Sequence, residues 1–235
     1  MTHFRTATIN ALGHSHTRPG GNKPGWLPSR VRTGLLVRVL VRRRLSVVGL
    51  QEFQREQRAE FRSRAGRLYA VHAIRDNAAV WLRARWALED YGTITVPYFH
   101  GKPKRMPWVV LRDRRSGKRI AFASTHNPAN VRGQAGAWRR EGWRIAGEWA
   151  RGMVDSGRVV CALVVGDKNA TADHYLPHVK EAGGRVAGVP SSTNRAGIDW
   201  IVGWGQVRFT RFRTARTRRI AAATDHPVVQ AVAHI

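Results

Sequence analysis

The chain has 235 residues and 41 Lys and Arg against 15 Asp and Glu, a formal charge of +26 spread from end to end rather than held in a tail. So cationic a body points to a polyanionic partner, nucleic acid ahead of a membrane surface, because the basic residues sit among strands and loops and not along one amphipathic helix. The single cysteine, Cys161, excludes an internal disulfide and a cysteine-based zinc site. With no apolar stretch of signal-peptide or membrane-spanning length, the expectation is a cytoplasmic monomer with no membrane partner, folded as one domain over residues 1–235.

Residues 4–12 read as a first strand ending in Asn10, and a loop rich in Gly and Pro, 13–28, carries His14, His16, Arg18 and Lys23. Ser29 is placed to cap a helix over 29–44 with Val31, Leu35, Leu36, Val39 and Leu40 inward and arginines outward, although its valines leave helix and strand hard to separate. Residues 45–52 form a short apolar strand closed by Glu52, followed by a helix over 54–65 and a strand over 68–74. From 78 to 122, short runs of Val, Trp, Tyr, Ile and Thr between turn residues predict antiparallel strands, the clearest hairpin joining 108–112 to 119–124. The second arm runs into Thr125-His126-Asn127-Pro128, where proline ends the ladder and leaves His126 at the rim. Residues 132–153 form the strongest helix, with Ala135, Trp138, Ile145, Trp149 and Met153 along one stripe.

Seven consecutive apolar residues, 159–165, then close on Gly166-Asp167-Lys168-Asn169. Such a run predicts a strand buried on both faces whose carboxyl end delivers Asp167 and Asn169 to the surface. The other reading of that tetrapeptide is a loop in which both side chains satisfy turn backbone. A short helix over 172–182 stops at Gly183-Gly184. Residues 197–202 form a strand carrying Asp199 inside an apolar run, a placement that is costly unless the carboxylate has a partner. Residues 207–220 hold six arginines and no acid, a basic edge or loop, and Asp225-His226 stand at the entry to a last strand.

The polar residues at strand ends are Asn10, Glu52, His126, Asp167, Asn169, Asp199, Asp225 and His226. Oxygen donors without thiolates suit Mg²⁺, with Mn²⁺ as the alternative ion. A histidine held by a buried aspartate can take a proton from water, and a second polar group can hold or protonate a phosphate.

Six segments resemble the endonuclease/exonuclease/phosphatase superfamily, the DNase I-like fold, in its own order. They are Thr8-Ile9-Asn10, Gly49-Leu50-Gln51-Glu52, Ser124-Thr125-His126, Gly166-Asp167-Lys168-Asn169, Ile198-Asp199-Trp200-Ile201 and Thr224-Asp225-His226-Pro227-Val228. The resemblance implies an α/β four-layer sandwich of two mainly antiparallel sheets flanked by helices, with a Mg²⁺-dependent site on one edge. It implies that Glu52 binds the metal with help from Asn10, that Asp225 supports the metal or the adjacent histidine, and that His226 paired with Asp199 is the general base. Asp167 and Asn169 would orient nucleophile and phosphate, and His126 would hydrogen-bond or protonate the phosphate. A histidine at 126 resembles the DNase, phosphatase and sphingomyelinase branches rather than the abasic-site repair branch. Lys168 replaces the usual aromatic or aliphatic residue and either touches phosphate or points to solvent, and Asn127 replaces the usual leucine.

Charge selects among substrates: a nuclease acting on DNA, or RNA as well, with Arg42, Arg43, Arg44, Arg208, Arg211 and Arg213 engaging phosphates without reading sequence. The rivals are a small-molecule or lipid phosphoesterase of the same superfamily and a non-catalytic basic nucleic-acid-binding protein on this fold.

Overall fold

Two six-stranded sheets stack face to face in the computed structural model, which describes residues 2–189 and 197–235. The first runs, in spatial order, β11 (Arg208–Ala215), β12 (Val228–His234), β1 (His3–Asn10), β2 (Val47–Gln51), β4 (Asn77–Leu82) and β3 (Tyr69–Ile74). The second runs β5 (Trp86–Pro97), β6 (Pro103–Asp113), β7 (Arg119–His126), β8 (Cys161–Asp167), β10 (Asp199–Gly205) and β9 (Arg185–Val186). Helices α2 (Ser29–Arg42), α3 (Arg55–Ala65) and α6 (Arg218–Ala223) cover the first sheet, α4 (Gly136–Asp155) and α5 (Ala172–Glu181) the second, and a single turn, α1 (His14–Thr17), follows β1. These are the four layers that the resemblance implies.

The alternation of side chains along each strand builds the layers. In β8 every residue is buried: Leu163 and Val165 point between the sheets while Ala162 and Val164 point at the helices. In β2, Val47 enters the space between the sheets while Val48 and Leu50 meet the helical layer. Gly49 lets the sheets close, since a Cβ there would lie 2.4 Å from Val165 Cγ2. One polar chain crosses this core: Thr8 donates to Gln51 Oε1 at 3.0 Å, and Gln51 Nε2 donates to Ser124 Oγ at 3.0 Å. Ser124→Ala strands that buried amide and is expected to cost about 1–3 kcal/mol, measured by urea unfolding.

Two parallel pairs, β1 with β2 and β7 with β8, are each joined by a helix, α2 and α4 respectively. β12 and β10 run antiparallel to their neighbours β1 and β8. The carboxyl ends of four strands and the amino ends of two others therefore share one edge of the molecule.

The helices depart from expectation in detail. Arg32 is fully buried on the inner face of α2, not outside, and donates to the carbonyls of Leu27, Ala11 and Ala223 and to Thr17 Oγ1. Those carbonyls lie on loops and helix ends that need donors, so the guanidinium replaces missing backbone partners. Val31 is exposed, and Ser29 is the first helical residue and not the cap; its Oγ meets His14 Nδ1 at 2.8 Å. In α4 the buried face is Trp143, Ala146, Ala150 and Met153, while Trp138, Ile145 and Trp149 are half-buried. The helix is turned because Trp143 packs on Tyr175, ring centres 5.0 Å apart, and Tyr175 in turn on Trp200. The arginine-rich stretch is the edge strand β11 followed by α6. Among the described residues no helix is long and apolar enough to cross a membrane.

Candidate active site

Each parallel pair delivers two polar side chains to the common edge. β1 ends on Asn10, and Glu52 follows β2 directly with φ at +53°, a left-handed turn that few non-glycine residues adopt. β7 ends on His126 and β8 on Asp167, paired in register, with Asp199 of β10 opposite Asp167. Gly166 makes the close approach possible: its φ is +149°, and a Cβ would fall 1.8 Å from the Thr125 carbonyl oxygen.

Asn10 joins the two sheets chemically. Its Nδ2 donates to Glu52 Oε1 at 3.0 Å and to Asp167 Oδ2 at 3.2 Å, while its Oδ1 accepts from Leu12 N. As placed, Asn10 bridges two carboxylates through its amide nitrogen and its oxygen is committed to backbone, so the help expected of it toward a metal would come through the carboxylates it positions. Asp167 divides its oxygens. Oδ1 takes the Asn169 N–H at 2.9 Å, the turn contact of the plainer reading, and Oδ2 faces His126 Nε2 at 3.6 Å and His226 Nε2 at 3.9 Å. The turn contact of the plainer reading is therefore made, and Asp167 is buried at the strand end and not on the surface.

His226 Nδ1 lies 2.8 Å from Asp199 Oδ2, and Asp199 is fully buried. Burial pushes the Asp199 carboxyl up, with the His226 charge pulling the other way. Burial also opposes charge on His226, yet the facing Asp199 outweighs it and holds the imidazole above its ordinary value. His226 N–H donates to Thr224 Oγ1, and Thr224 Oγ1 donates to the Asn10 carbonyl at 2.6 Å, so β12 is pinned to β1 at the site. His126 is buried, which lowers its pKa despite the attraction of Asp167, and among the described residues its Nδ1 has no hydrogen-bond partner. Asp167, Asp199 and His226 offer ligand atoms all within 4.8 Å of one another.

Around Glu52 the loop after β1 contributes groups to which the sequence assigned no role. Gly13 N–H donates to Glu52 Oε2 at 2.9 Å and His16 Nε2 lies 3.2 Å from the same oxygen. Burial alone would raise the Glu52 carboxyl, but His16, Gly13 N–H and Asn10 together hold it well below the usual carboxylate range. Asp225 forms an ion pair with Lys23 of that loop, so both lateral carboxylates meet a basic side chain from residues 13–28. Asn169, at φ +48°, donates its Nδ2 to the Asn127 carbonyl at 2.8 Å.

The phosphate-binding expectations need correction. Lys168 neither touches the cleft nor points to solvent; it is fully buried, donates to Thr125 Oγ1 and lies over the Tyr175 ring. Its position in the strand–turn sequence aims it away from Asp167, into the layer between β8 and α5. Arg42, Arg43 and Arg44 end α2, before β2 begins, about 20 Å along the strand direction from Glu52. Arg208 pairs with His234 at the end of β12 remote from His226, Arg211 sits in a β-bulge, and Arg213 stands opposite Gln230. The strand direction, invisible in composition, decides this. The arginine of this stretch that reaches the site is Arg216, which donates to the Asp225 carbonyl.

The two stacked sheets and the polar edge define the class: the chain has the DNase I-like fold of endonuclease/exonuclease/phosphatase proteins. It superposes on the endonuclease/exonuclease/phosphatase from Bacteroides vulgatus with a TM-score of 0.80 at 16% identity, covering 100% of each chain. For the human Nocturnin catalytic domain with bound sulfate anion the values are 0.75 and 15%, covering 99% of this chain and 94% of that one. For D. rerio TDP2 complexed with single strand DNA product they are 0.74 and 12%, covering 100% of each. At such identities the likeness is one of fold. No protein-family model matches the chain, and no curated protein matches its sequence.

Proposed function

We propose that this protein is a divalent-metal-dependent phosphodiesterase that hydrolyses the nucleic-acid backbone by attack of water on phosphorus. The observation that carries the reading is the convergence of Glu52, Asn10, Asp167 and His126 with the His226–Asp199 dyad on one sheet edge, in a chain of charge +26. The TDP2 structure of this fold holds a single strand DNA product, which supports a nucleic-acid substrate.

The residues fit a hard divalent cation. Cys161 lies at the far end of β8, so the donors at the edge are carboxylates, an amide and imidazoles, the set that suits Mg²⁺ or Mn²⁺. Glu52 and Asp167, brought to either side of one amide group, would hold the ion, with Asp225 supporting from beside His226. A site built on Asp167, Asp199 and His226 instead would have to break the 2.8 Å bond between His226 and Asp199, so that pair is kept for proton transfer. When bound, the ion offsets charge developing on the phosphate.

The side chains divide the remaining work. Asp199 accepts the Nδ1–H of His226 and fixes the tautomer that leaves Nε2 free to take a proton from water. Asp167 Oδ2, 3.9 Å from that nitrogen, orients the water. His126, kept neutral by burial, donates a hydrogen bond to a phosphate oxygen. Asn169 locks the Asn127 carbonyl and shapes the rim.

The test is cleavage of supercoiled plasmid and of a single-stranded oligonucleotide with Mg²⁺, with Mn²⁺ and with EDTA. Cleavage of at least one of the two with either ion, and of neither in EDTA, is the expected result. Rapid hydrolysis of a small anionic phosphoester with both nucleic acids untouched overturns the nuclease reading in favour of a small-molecule phosphoesterase.

A further inference from the structure

Beside the edge site lies a groove of about 810 Å³. One wall is Gln54 and Arg55 at the start of α3 and Arg75–Asp76 at the β3–β4 turn; the other is Tyr98, Phe99, Lys102 and Lys104 at the β5–β6 end, with Arg132 above. It adjoins the reacting groups on both sides. Phe53 N–H donates to the Asp76 carbonyl at 2.8 Å, which ties that turn to the residue after Glu52. The Tyr98 ring lies 6.0 Å from the His126 ring. A chain passing over Glu52 and His126 therefore runs directly into the groove.

Its lining combines charge with flat apolar surface. The one carboxylate, Asp76, is paired with Lys104 at 3.0 Å, while Arg55, Arg75, Lys102 and Arg132 have no carboxylate partner among the described residues. Tyr98 and Phe99 pack edge to face, ring centres 4.5 Å apart, and both are half-buried. Arg132 stands over the Phe99 ring at 5.2 Å and Lys104 over the Tyr98 ring at 4.1 Å. A solvated basic surface has no need of aromatic walls. Cations for phosphates beside rings for bases are what an unpaired strand requires, and a duplex keeps its bases stacked inside where no ring can reach. The volume suits roughly one or two nucleotides.

We propose that this groove binds the nucleotides flanking the scissile phosphate as an unpaired strand, with a base against Phe99, so that the substrate is single-stranded nucleic acid. The inference rests on the phosphodiesterase reading for the reaction but is tested by binding, without catalysis.

The experiment is fluorescence anisotropy in EDTA with a labelled 12-nucleotide DNA strand, the same strand annealed to its complement, and strands with one base removed at successive positions. The single strand is expected to bind about tenfold more tightly than the duplex, and Phe99→Ala to weaken single-strand binding about five- to tenfold with little effect on duplex, the size of one lost base stack. Base removal at the stacked position should weaken binding to the parent protein and not to Phe99→Ala. Arg132→Ala, on an exposed loop, should weaken single-strand binding and lower the log–log salt slope by about 0.7. Equal affinity for single strand and duplex, with Phe99→Ala altering neither and no base-removal position mattering, overturns the proposal. Tight, Phe99-dependent single-strand binding without any metal-dependent cleavage supports the groove and removes the hydrolytic reading. Equal cleavage of both substrates with no effect of Phe99→Ala on binding does the reverse.

Discussion

Replacing His226 with alanine is expected to lower the rate of backbone cleavage about 10³- to 10⁴-fold at saturating substrate, and Asp199→Asn to lower it by about 10²- to 10⁴-fold. Among the described residues it is the His226 imidazole whose Nε2 is free while its other nitrogen is held, at 2.8 Å, by a fully buried carboxylate. An amide in place of that carboxylate would keep the contact but favour the wrong tautomer. The pH profile separates this from a merely structural loss. Because Asp199 holds the imidazole above its ordinary value, the proton leaves His226 only on the alkaline side of 6.5, and the base form grows as pH rises. The parent rate should therefore climb with pH from neutrality upward. In Asp199→Asn the anion is gone and the midpoint of that climb should move down. Circular dichroism checks that both variants fold, and pre-steady-state rates from pH 6 to 10 give the profile. An unchanged profile in Asp199→Asn would sink the dyad.

Lys168→Met is expected to stabilise the protein by about 2–4 kcal/mol at pH 7, an unusual direction for a change beside an active site. The ammonium is buried between β8 and α5 with Thr125 Oγ1 as its hydrogen-bond acceptor, and burial, opposed only by Asp167, pushes its pKa down to about 7. In the unfolded chain the lysine titrates near 10.5, so between pH 10.5 and 7 the unfolded state holds a proton that the folded state has released. Folding stability contributed by this site therefore falls as pH drops through that window and is level below it. Methionine has the length of the lysine stem and no charge to desolvate. Its advantage should be full at pH 7 and below, shrink as pH rises and vanish above about 10.5. Urea unfolding of both proteins at pH 6, 7, 8, 9 and 10 measures this. A stability difference that does not vary with pH would show that folding leaves the titration of this lysine unmoved, and the account of Lys168 fails.

Much of the architecture was legible because burial writes a local pattern. The run 159–165 reads as a central strand because one-sided elements rarely carry seven apolar residues in a row; the strand is Cys161–Asp167, buried throughout, with Val159 and Val160 leading into it. The hairpin joining 108–112 to 119–124 forms as predicted, and its register sets Trp108 opposite Ala123 and Arg112 opposite Arg119. The α4 stripe was misjudged because tryptophans recur at several helical offsets, and the choice of Trp143 depends on Tyr175 and Trp200, which lie far along the chain. Arg32 carried a usable signal: it shares the helical face of Leu36 and Leu40 at four-residue spacing, so a buried guanidinium could have been anticipated. The roles of His16 and Lys23 had none, since a loop's path over an edge is set by the closures at both its ends.

By itself the sequence determined most of the strands, their burial and the residues that end strands with acids and histidines, because each of these follows from local periodicity and from the rarity of an acid in an apolar run; the four layers came from the resemblance of six short segments to a known fold. Only the tertiary structure decided which ends of the strands coincide. It set Asn10 between Glu52 and Asp167, sent Lys168 inward, carried the arginines at 42–44 and 208 to the remote end and put Arg55, Arg75 and Arg132 beside the site instead. Strand direction and sheet stacking fix those meetings, and they join residues as far apart as Asn10 and Asp167, beyond the reach of any local pattern.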